Sequence, residues 1–173
     1  ALEGVNTVIH LAARVHVMKE GARDALDAYR AVNRDGTERL ARAAIHASVR
    51  RLIFMSSIKV NGEATRGTPL TAQHAPRPVD PYGVSKLEAE STLTTLASQH
   101  SLEVGIFRSP VVYGEGVGGN IHRIASLVSR GVPLPLGLVR NRRTMLSASN
   151  LVRWMLPSVN ADHLDSTPVL MGD

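Results

Sequence analysis

Tyr82 and Lys86 stand one helical turn apart near the head of the stretch DPYGVSKLEAE, residues 80–90. Asp80 is a strong helix-capping residue, and Pro81 suits the first helical position, where its missing N–H costs nothing. On a wheel of about 100° per residue, Tyr82 and Lys86 share a face with Ala89, Leu93, Leu96 and Ala97. The last four make it the buried face, so the phenol and the ammonium point toward the protein. Two readings follow from the spacing. One is a lysine whose stem runs past a packed tyrosine to water. The other is an acid–base pair, in which the ammonium favours the phenolate and lowers a phenol pKa of about 10 toward the working range.

The elements that would position such a pair alternate along the chain. TVIHLAA (7–13) reads as a buried strand, and a long helix follows from about Asp24 to Ala47, with Ala28, Val32, Leu40, Ala43, Ala44 and Ala47 on its inner face. RLIFMSS (51–57) is a second buried strand. A polar, proline-rich loop leads to the helix that starts at Asp80, and EVGIFRS (103–109) is a third strand. The glycine-rich segment YGEGVGGN precedes a further helical pattern at about Ile121 to Ser129, and PVLMG (168–172) reads as a last strand. Continuous apolar strands alternating with amphipathic helices predict an α/β fold, with a parallel sheet covered on both faces. Ligands in such sheets bind beyond the C-terminal strand ends. Arg14, Ser56, Ser57 and Arg108 each follow or close an apolar strand.

Composition narrows the function classes. The chain has 173 residues, 43% hydrophobic and 20% charged, which suits one soluble globular domain. It has no cysteine, so disulfides, thiolate metal sites and a cysteine nucleophile are excluded, and no metal site is expected. No apolar run approaches the ~18 residues of a membrane span. The N-terminal ALEGVNTVIHLAA lacks a basic flank and a cleavage site, so it does not read as a signal peptide. A cytoplasmic location is expected. The net charge of +5 suits an anionic partner, but aromatic residues make up only 3%. That is poor material for stacking bases, and no nucleic-acid partner is expected.

Taken together, HLAA after a strand, VNRDGT in the next helix, FMSS…VNG, YGVSK, FRSPVVYGEG and RRTMLSASNL resemble the extended short-chain dehydrogenase/reductase family of nucleotide-sugar epimerases and dehydratases. The resemblance runs from about Val5 to Leu151. A lone Tyr-x-x-x-Lys is a weak signal, but the ordered series is a strong one, and it favours the acid–base reading of Tyr82 and Lys86. It implies a partial Rossmann-like, doubly wound sheet and an NAD- or NADP-dependent enzyme, with NAD favoured. The implied substrate is a UDP-linked nucleotide sugar, and the implied activity is epimerisation or 4-keto reduction in surface-polysaccharide sugar synthesis. A homodimeric parent is also implied.

The resemblance assigns roles residue by residue. Tyr82 is similar in position to the family's acid/base. Lys86 would lower its pKa and bind the nicotinamide ribose. Ser57 matches the serine that hydrogen-bonds the reacting oxygen, with Ser56 as its alternate and a cofactor contact. Leu11, Ala12 and Ala13 would let the strand end approach the cofactor, although simple tight packing explains the alanines equally well. Asn33 would support the cofactor site through the helix, and Pro110 would line the nicotinamide. Ser109, Asn120 and Arg143 would hold the substrate, Asn120 and Arg143 at its diphosphate, where an arginine fork pairs two phosphate oxygens. Arg142 could exchange roles with Arg143.

The departures from the family pattern carry information. The dehydratase branch places an Asp–Glu pair after the strand-end residue, whereas Ser57 is followed by Ile58 and Lys59, which disfavours dehydration. Asn61 stands where many epimerases carry tyrosine. The glycine fingerprint for the dinucleotide pyrophosphate is not found ahead of TVIHLAA. Residues 1–173 are therefore expected to form a single incomplete dinucleotide-binding domain, with part of the substrate region at about 114–150, inactive as an isolated piece of a longer enzyme. A non-catalytic cofactor sensor or scaffold on the same fold is the alternative. Such members commonly lose the tyrosine or lysine, and both are present here.

Overall fold

The structure is a computed structural model that describes residues 2–15, 25–65, 67–118, 120–135, 137–140 and 142–173. Its centre is a four-stranded sheet in the order β1 (Thr7–His10), β2 (Arg51–Ser57), β3 (Glu103–Ser109) and β6 (Val169–Leu170), and every pairing is parallel. A parallel pair needs a crossover, and helices supply it. The segment α1 (Ala25–Tyr29), a π-helical turn (Arg30–Arg34) and α2 (Asp35–His46) joins β1 to β2, and α3 (Pro81–Gln99) joins β2 to β3. A small parallel pair, β4 (Val111–Tyr113) with β5 (Met145–Ser147), lies beside the main sheet, with α4 (Asn120–Ser129) between them in sequence. Helix α5 (Ala148–Val159) follows β5.

The two faces of the sheet carry two separate cores. Leu52, Phe54, Val104 and Ile106 meet Ala41 and Ala44 of α2 and Ala89, Leu93 and Leu96 of α3. On the other face Ile53 and Phe107 meet Leu146, Met155 and Met171. Alternate residues of one strand point to opposite faces, so β2 serves both cores at once. The sheet thus has cover on both sides, as the sequence pattern predicts.

Three differences from the sequence reading stand out. The first helix buries Tyr29, Asn33, Thr37, Ala41 and Ala44, while Val32 is exposed. Following the apolar residues placed the inner face one position off, because the true face carries polar side chains that find partners inside. The last strand is two residues rather than five. Helix α5 was not anticipated; its cap is Ser147, whose hydroxyl accepts from the Asn150 amide at 3.3 Å.

The edge of the sheet remote from the strand C-termini is held by a buried cation. Arg51, 1% exposed, donates to Glu103 at 2.9 and 2.5 Å, to the Val159 carbonyl at 2.5 Å and to the Ala161 carbonyl at 2.7 Å. One guanidinium therefore joins the start of β2, the start of β3 and the end of α5. Its Arg51→Met variant leaves two carbonyls and a carboxylate short of their donor, and unfolding in urea is expected about 3 kcal/mol earlier in stability. An unchanged urea midpoint would show that water replaces those bonds at no cost.

Candidate active site at the C-terminal strand ends

All strands of the main sheet run the same way, so His10, Ser57 and Ser109 end at one edge, with Ser57 and Ser109 directly in register. Helix α3 brings Tyr82 and Lys86 to that edge. Asp80 caps it as the sequence predicts: one carboxylate oxygen accepts from the Gly83 amide at 2.6 Å. Gly83 has no alternative at its position, since a Cβ there would lie 2.8 Å from the Lys59 carbonyl oxygen. The first turn of α3 is thereby seated against the 3-10 turn Ile58–Val60 that follows Ser57.

The Ser57 hydroxyl neighbours the Tyr82 phenol closely enough to act on its ionisation. Burial pushes the phenol's pKa up, the neighbouring Ser57 hydroxyl pulls it down, and the nearby charges of Asp80 and Lys59 act in opposite senses. The Tyr29 ring meets the Tyr82 ring edge-on, with centroids 6.1 Å apart. Lys86 was expected to lower the Tyr82 pKa. Instead its ammonium turns to β2, donating to the Met55 carbonyl at 2.5 Å and lying 4.0 Å from the centre of the Phe54 ring. Lys86 is 1% exposed, and burial lowers its own pKa to about 7 against the opposing charge of Glu90. A lysine that is half neutral near pH 7 and turned toward a carbonyl exerts little field on a phenol one turn away. The expected lowering is therefore corrected: the Tyr82 phenol lies above its ordinary value.

A second set of polar groups fixes this corner from behind. The Asn33 side chain accepts from the Arg14 amide at 2.8 Å and donates to the Arg14 carbonyl at 3.1 Å and to Ser85 Oγ at 3.0 Å. Ser85 Oγ donates in turn to the Tyr82 carbonyl at 2.8 Å. Asn33 thus ties the segment after β1, which includes Leu11, Ala12 and Ala13, to the turn that carries Tyr82. The π-helical turn at Arg30–Arg34 sets its direction, a local widening common at functional sites. Thr37 donates its single hydroxyl proton to the Asn33 carbonyl at 2.6 Å, so it accepts from His10 Nε2 at 2.9 Å. Burial, with the Lys86 charge, lowers the His10 pKa.

Ser56 does not stand in for Ser57. Its hydroxyl is buried on the opposite face of β2 and donates to Glu90. Glu90 also takes both arms of Arg108, at 3.0 and 2.6 Å, and Arg108 reaches Asn61 Oδ1 at 3.0 Å. This buried group of four joins β2, β3, α3 and the turn at residue 61. Pattern reading missed Glu90, Arg108, Asn61 and His10 as members of the site's support. Their signal was present: four polar residues on faces that the periodicity makes internal must be paired.

The candidate substrate residues are placed unevenly. Ser109 and the buried Pro110 close β3 beside Ser57. Arg142 and Arg143 line a cleft together with Ile58, Gly62 and Glu63, so the arginine segment faces the turn that follows Ser57. Asn120 opens α4, and its side chain lies outside the described residues. Among the described residues no group of three or more His, Asp or Glu could hold a metal ion. No helix among them is long and apolar enough to cross a membrane.

The residues present suit a nicotinamide dinucleotide at this edge. Lys86 carries three N–H donors, of which the Met55 carbonyl takes one, which leaves donors for a ribose diol. Exposed Leu11 and Ala12 at the end of β1 present a small, apolar approach.

A parallel α/β sheet with Ser57, Tyr82 and a buried lysine gathered at its C-terminal edge has the layout of a dinucleotide-binding fold. The model of the NAD dependent epimerase/dehydratase family matches residues 1–166, and the chain belongs to that family. It is 42% identical over 174 residues to a UDP-glucose 4-epimerase of Vibrio cholerae, covering 99% of this chain and 53% of that protein. It is 29% identical over 160 residues to the N-acetyl-alpha-D-glucosaminyl-diphospho-ditrans,octacis-undecaprenol 4-epimerase of Escherichia coli, covering 90% of this chain and 46% of that one. Among solved structures, MoeE5 in complex with UDP-glucose and NAD superposes with a TM-score of 0.82 at 30% identity, covering 99% of this chain and 57% of that one. The UDP-glucuronic acid 4-epimerase from Bacillus cereus in complex with NAD shares the fold, with a TM-score of 0.84 at 23% identity, over 99% of this chain and 55% of that one. The chain spans about half the length of these proteins.

The buried lysine sets a pH dependence of stability. Its folded pKa of about 7 lies below the ordinary lysine value of 10.5, so the unfolded chain binds more protons between those two pH values. Stability contributed by this group therefore rises with pH across that window, with a slope approaching about 1.4 kcal/mol per pH unit. His10, also lowered, contributes a rise of the same sign that is complete above pH 6.5. Thermal melts should show the melting temperature climbing from pH 7 to 9, and Lys86→Met should flatten that climb. A flat profile in the unaltered chain would mean that Lys86 stays charged when folded.

Proposed function

We propose that this chain forms the catalytic core of an NAD-dependent nucleotide-sugar 4-epimerase acting on a UDP-linked sugar. The observation that carries the reading is the convergence of Tyr82 and Ser57 at the C-terminal sheet edge, one turn of α3 from a buried lysine. When bound, NAD supplies the acceptor and later the donor of a hydride at the sugar carbon. Tyr82 takes the proton from the sugar hydroxyl as that carbon is oxidised and returns it as the carbon is reduced on the opposite face. Ser57 hydrogen-bonds the same oxygen and holds it against the phenol. Proton and hydride leave together and return together, so the sugar changes configuration with no net oxidation.

Lys86 binds the ribose diol, and Asn33 keeps the segment Leu11–Ala13 in place beneath the cofactor. Pro110 lines the nicotinamide through its backbone. Ser109 contacts the sugar, while Arg143 and Asn120 hold the diphosphate. Epimerisation is favoured over 4-keto reduction by the 42% identical Vibrio cholerae protein, and NAD over NADP by the NAD-bound structural relatives. Residues 1–173 form one incomplete dinucleotide-binding domain with part of the substrate region, a reading supported by the half-length coverage of the relatives. The parent protein is a cytoplasmic homodimer that binds no nucleic acid and serves surface-polysaccharide synthesis, in keeping with the undecaprenol-linked activity that the Escherichia coli relative's name states.

The test is the interconversion of UDP-glucose and UDP-galactose by the protein that carries this chain. Tyr82→Phe should cut turnover roughly 10²-fold or more, the usual scale for a positioned acid–base group, with NAD affinity little changed. Near-normal turnover by the phenylalanine variant would remove Tyr82 from the chemistry. Arg143→Ala should weaken UDP-sugar binding by about 1.5–3 kcal/mol and spare NAD. Calorimetric titration with each ligand separates the two, and an equal loss for both would refute the division.

A further inference from the structure

Lys59 lies two residues beyond Ser57, in the 3-10 turn Ile58–Val60, and every part of it is engaged. Its backbone amide donates to Ser57 Oγ at 3.3 Å. Its carbonyl oxygen is the atom that leaves no room for a side chain at Gly83. Its ammonium forms ion pairs with Asp80 Oδ2 and, at 2.8 Å, with Glu63 Oε1. Asp80 is the residue that caps α3, so a single carboxylate serves the helix with one oxygen and Lys59 with the other. The two side chains of this pair are 26% and 25% exposed, which shelters them in part from solvent screening.

We propose that Lys59 is a positioning residue for the reaction: amide, carbonyl and ammonium together lock the Ser57 turn to the first turn of α3, so that the Ser57 and Tyr82 hydroxyls keep one mutual geometry. The proposal rests on the reading of Tyr82 and Ser57 as the reacting pair. The contacts deeper in α3, from Lys86 to the Met55 carbonyl and from Glu90 to Ser56, hold the helix to β2 one and two turns further on. Asn33, through Ser85, holds the first turn toward β1, and neither set of contacts ties it to the turn after Ser57. Lys59 closes that end. Within the clamp, burial works against the ammonium, but the bonds to Asp80 and Glu63 outweigh it and hold its pKa above the ordinary lysine value, so the charge persists through neutral pH.

The clamp also sets the charge that Tyr82 meets. The groups acting on the phenol are Ser57, Asp80, Lys59 and the Tyr29 phenol. Those on Lys59 are Asp80 and Glu63, with Arg142 and Arg143 lining the same cleft as Glu63. Removing the ammonium withdraws a cation from the phenol and takes from the Asp80 carboxylate the positive charge that offsets it there. Both changes disfavour the phenolate.

The ionisation of Tyr82 can be read without substrate. The 173-residue chain has three tyrosines, and carbon-13 labelling of their ring carbons, with Tyr82→Phe to assign the signal, follows Tyr82 alone by NMR. Lys59→Met should raise its titration midpoint by about 0.5–1 pH unit, and Lys59→Arg should leave it in place. In an Asp80→Asn background, where asparagine still caps the helix, the Lys59→Met shift should shrink by about half or more. In the turnover assay Lys59→Met should lower kcat with KM unchanged, and Lys59→Arg should restore it. The clamp is overturned if the midpoint stays put in Lys59→Met, if Lys59→Arg moves it as far, or if the shift is undiminished in the Asp80→Asn background. It is overturned equally if Lys59→Met fails to fold while Lys59→Arg folds, since the residue would then serve general stability. Failure of the function reading shows elsewhere, as a Tyr82→Phe variant that still turns over while the NMR shifts are as expected.

Discussion

Helix α3 can begin only where Gly83 meets the Lys59 carbonyl. That close approach fixes the distance between the turn after β2 and the first turn of the helix, and the remaining contacts of the site depend on it. The Asp80 carboxylate directs the helix by capping the Gly83 amide. Once the start is set, the 3.6-residue period carries Lys86 over Phe54 and Glu90 toward Ser56 and Arg108, one and two turns along. A displaced start would leave a buried lysine and a buried glutamate without their partners, each a cost of several kcal/mol. The site is therefore held by the penalty for misplacing charge as much as by any single favourable bond.

Two polar layers flank the Tyr82 and Ser57 hydroxyls and serve different strands. Asn33, Thr37, His10 and Ser85 bind the end of β1 to α2 and α3. Glu90, Arg108, Asn61 and Ser56 bind the ends of β2 and β3 to α3. Helix α3 is the element common to both layers, and Tyr82 and Lys86 lie on it. This arrangement suits the proposed proton transfer, because rigid elements hold positions more closely than loops.

Lys86 is costly to the fold, and the proposed function gives the same residue a use. In the folded chain it loses most of its hydration and gains a carbonyl and an aromatic face, which is too little to keep its ordinary pKa. A group left short of partners in this way is prepared for a ligand that brings acceptors to it. The phenol of Tyr82 is similarly raised by burial, and a cationic ring bound nearby would favour its ionised form.

Much of this was legible in the sequence. Strand–helix alternation determined a parallel sheet, because strands covered on both faces must be apolar throughout and must be joined by helices. The cap at Asp80, the proline after it and the apolar stripe determined where α3 starts and that Tyr82 and Lys86 face inward. The ordered motifs named Ser57 as their companion. Tertiary structure alone decided the partners. Periodicity says that Glu90, Arg108 and Asn33 are internal, yet it cannot say that Arg108 answers Glu90 or that Asn33 reaches Ser85, since those pairs are separated by 18 and 52 residues. It placed the inner face of the first helix one residue off because it counted apolar residues, and that face is polar where it meets the site. The family resemblance gave Lys86 the task of lowering the Tyr82 pKa, and the fold turned the ammonium to the Met55 carbonyl instead. A side chain's periodicity sets the direction it faces, whereas its protonation depends on the distances to charges and dipoles brought in from other parts of the chain.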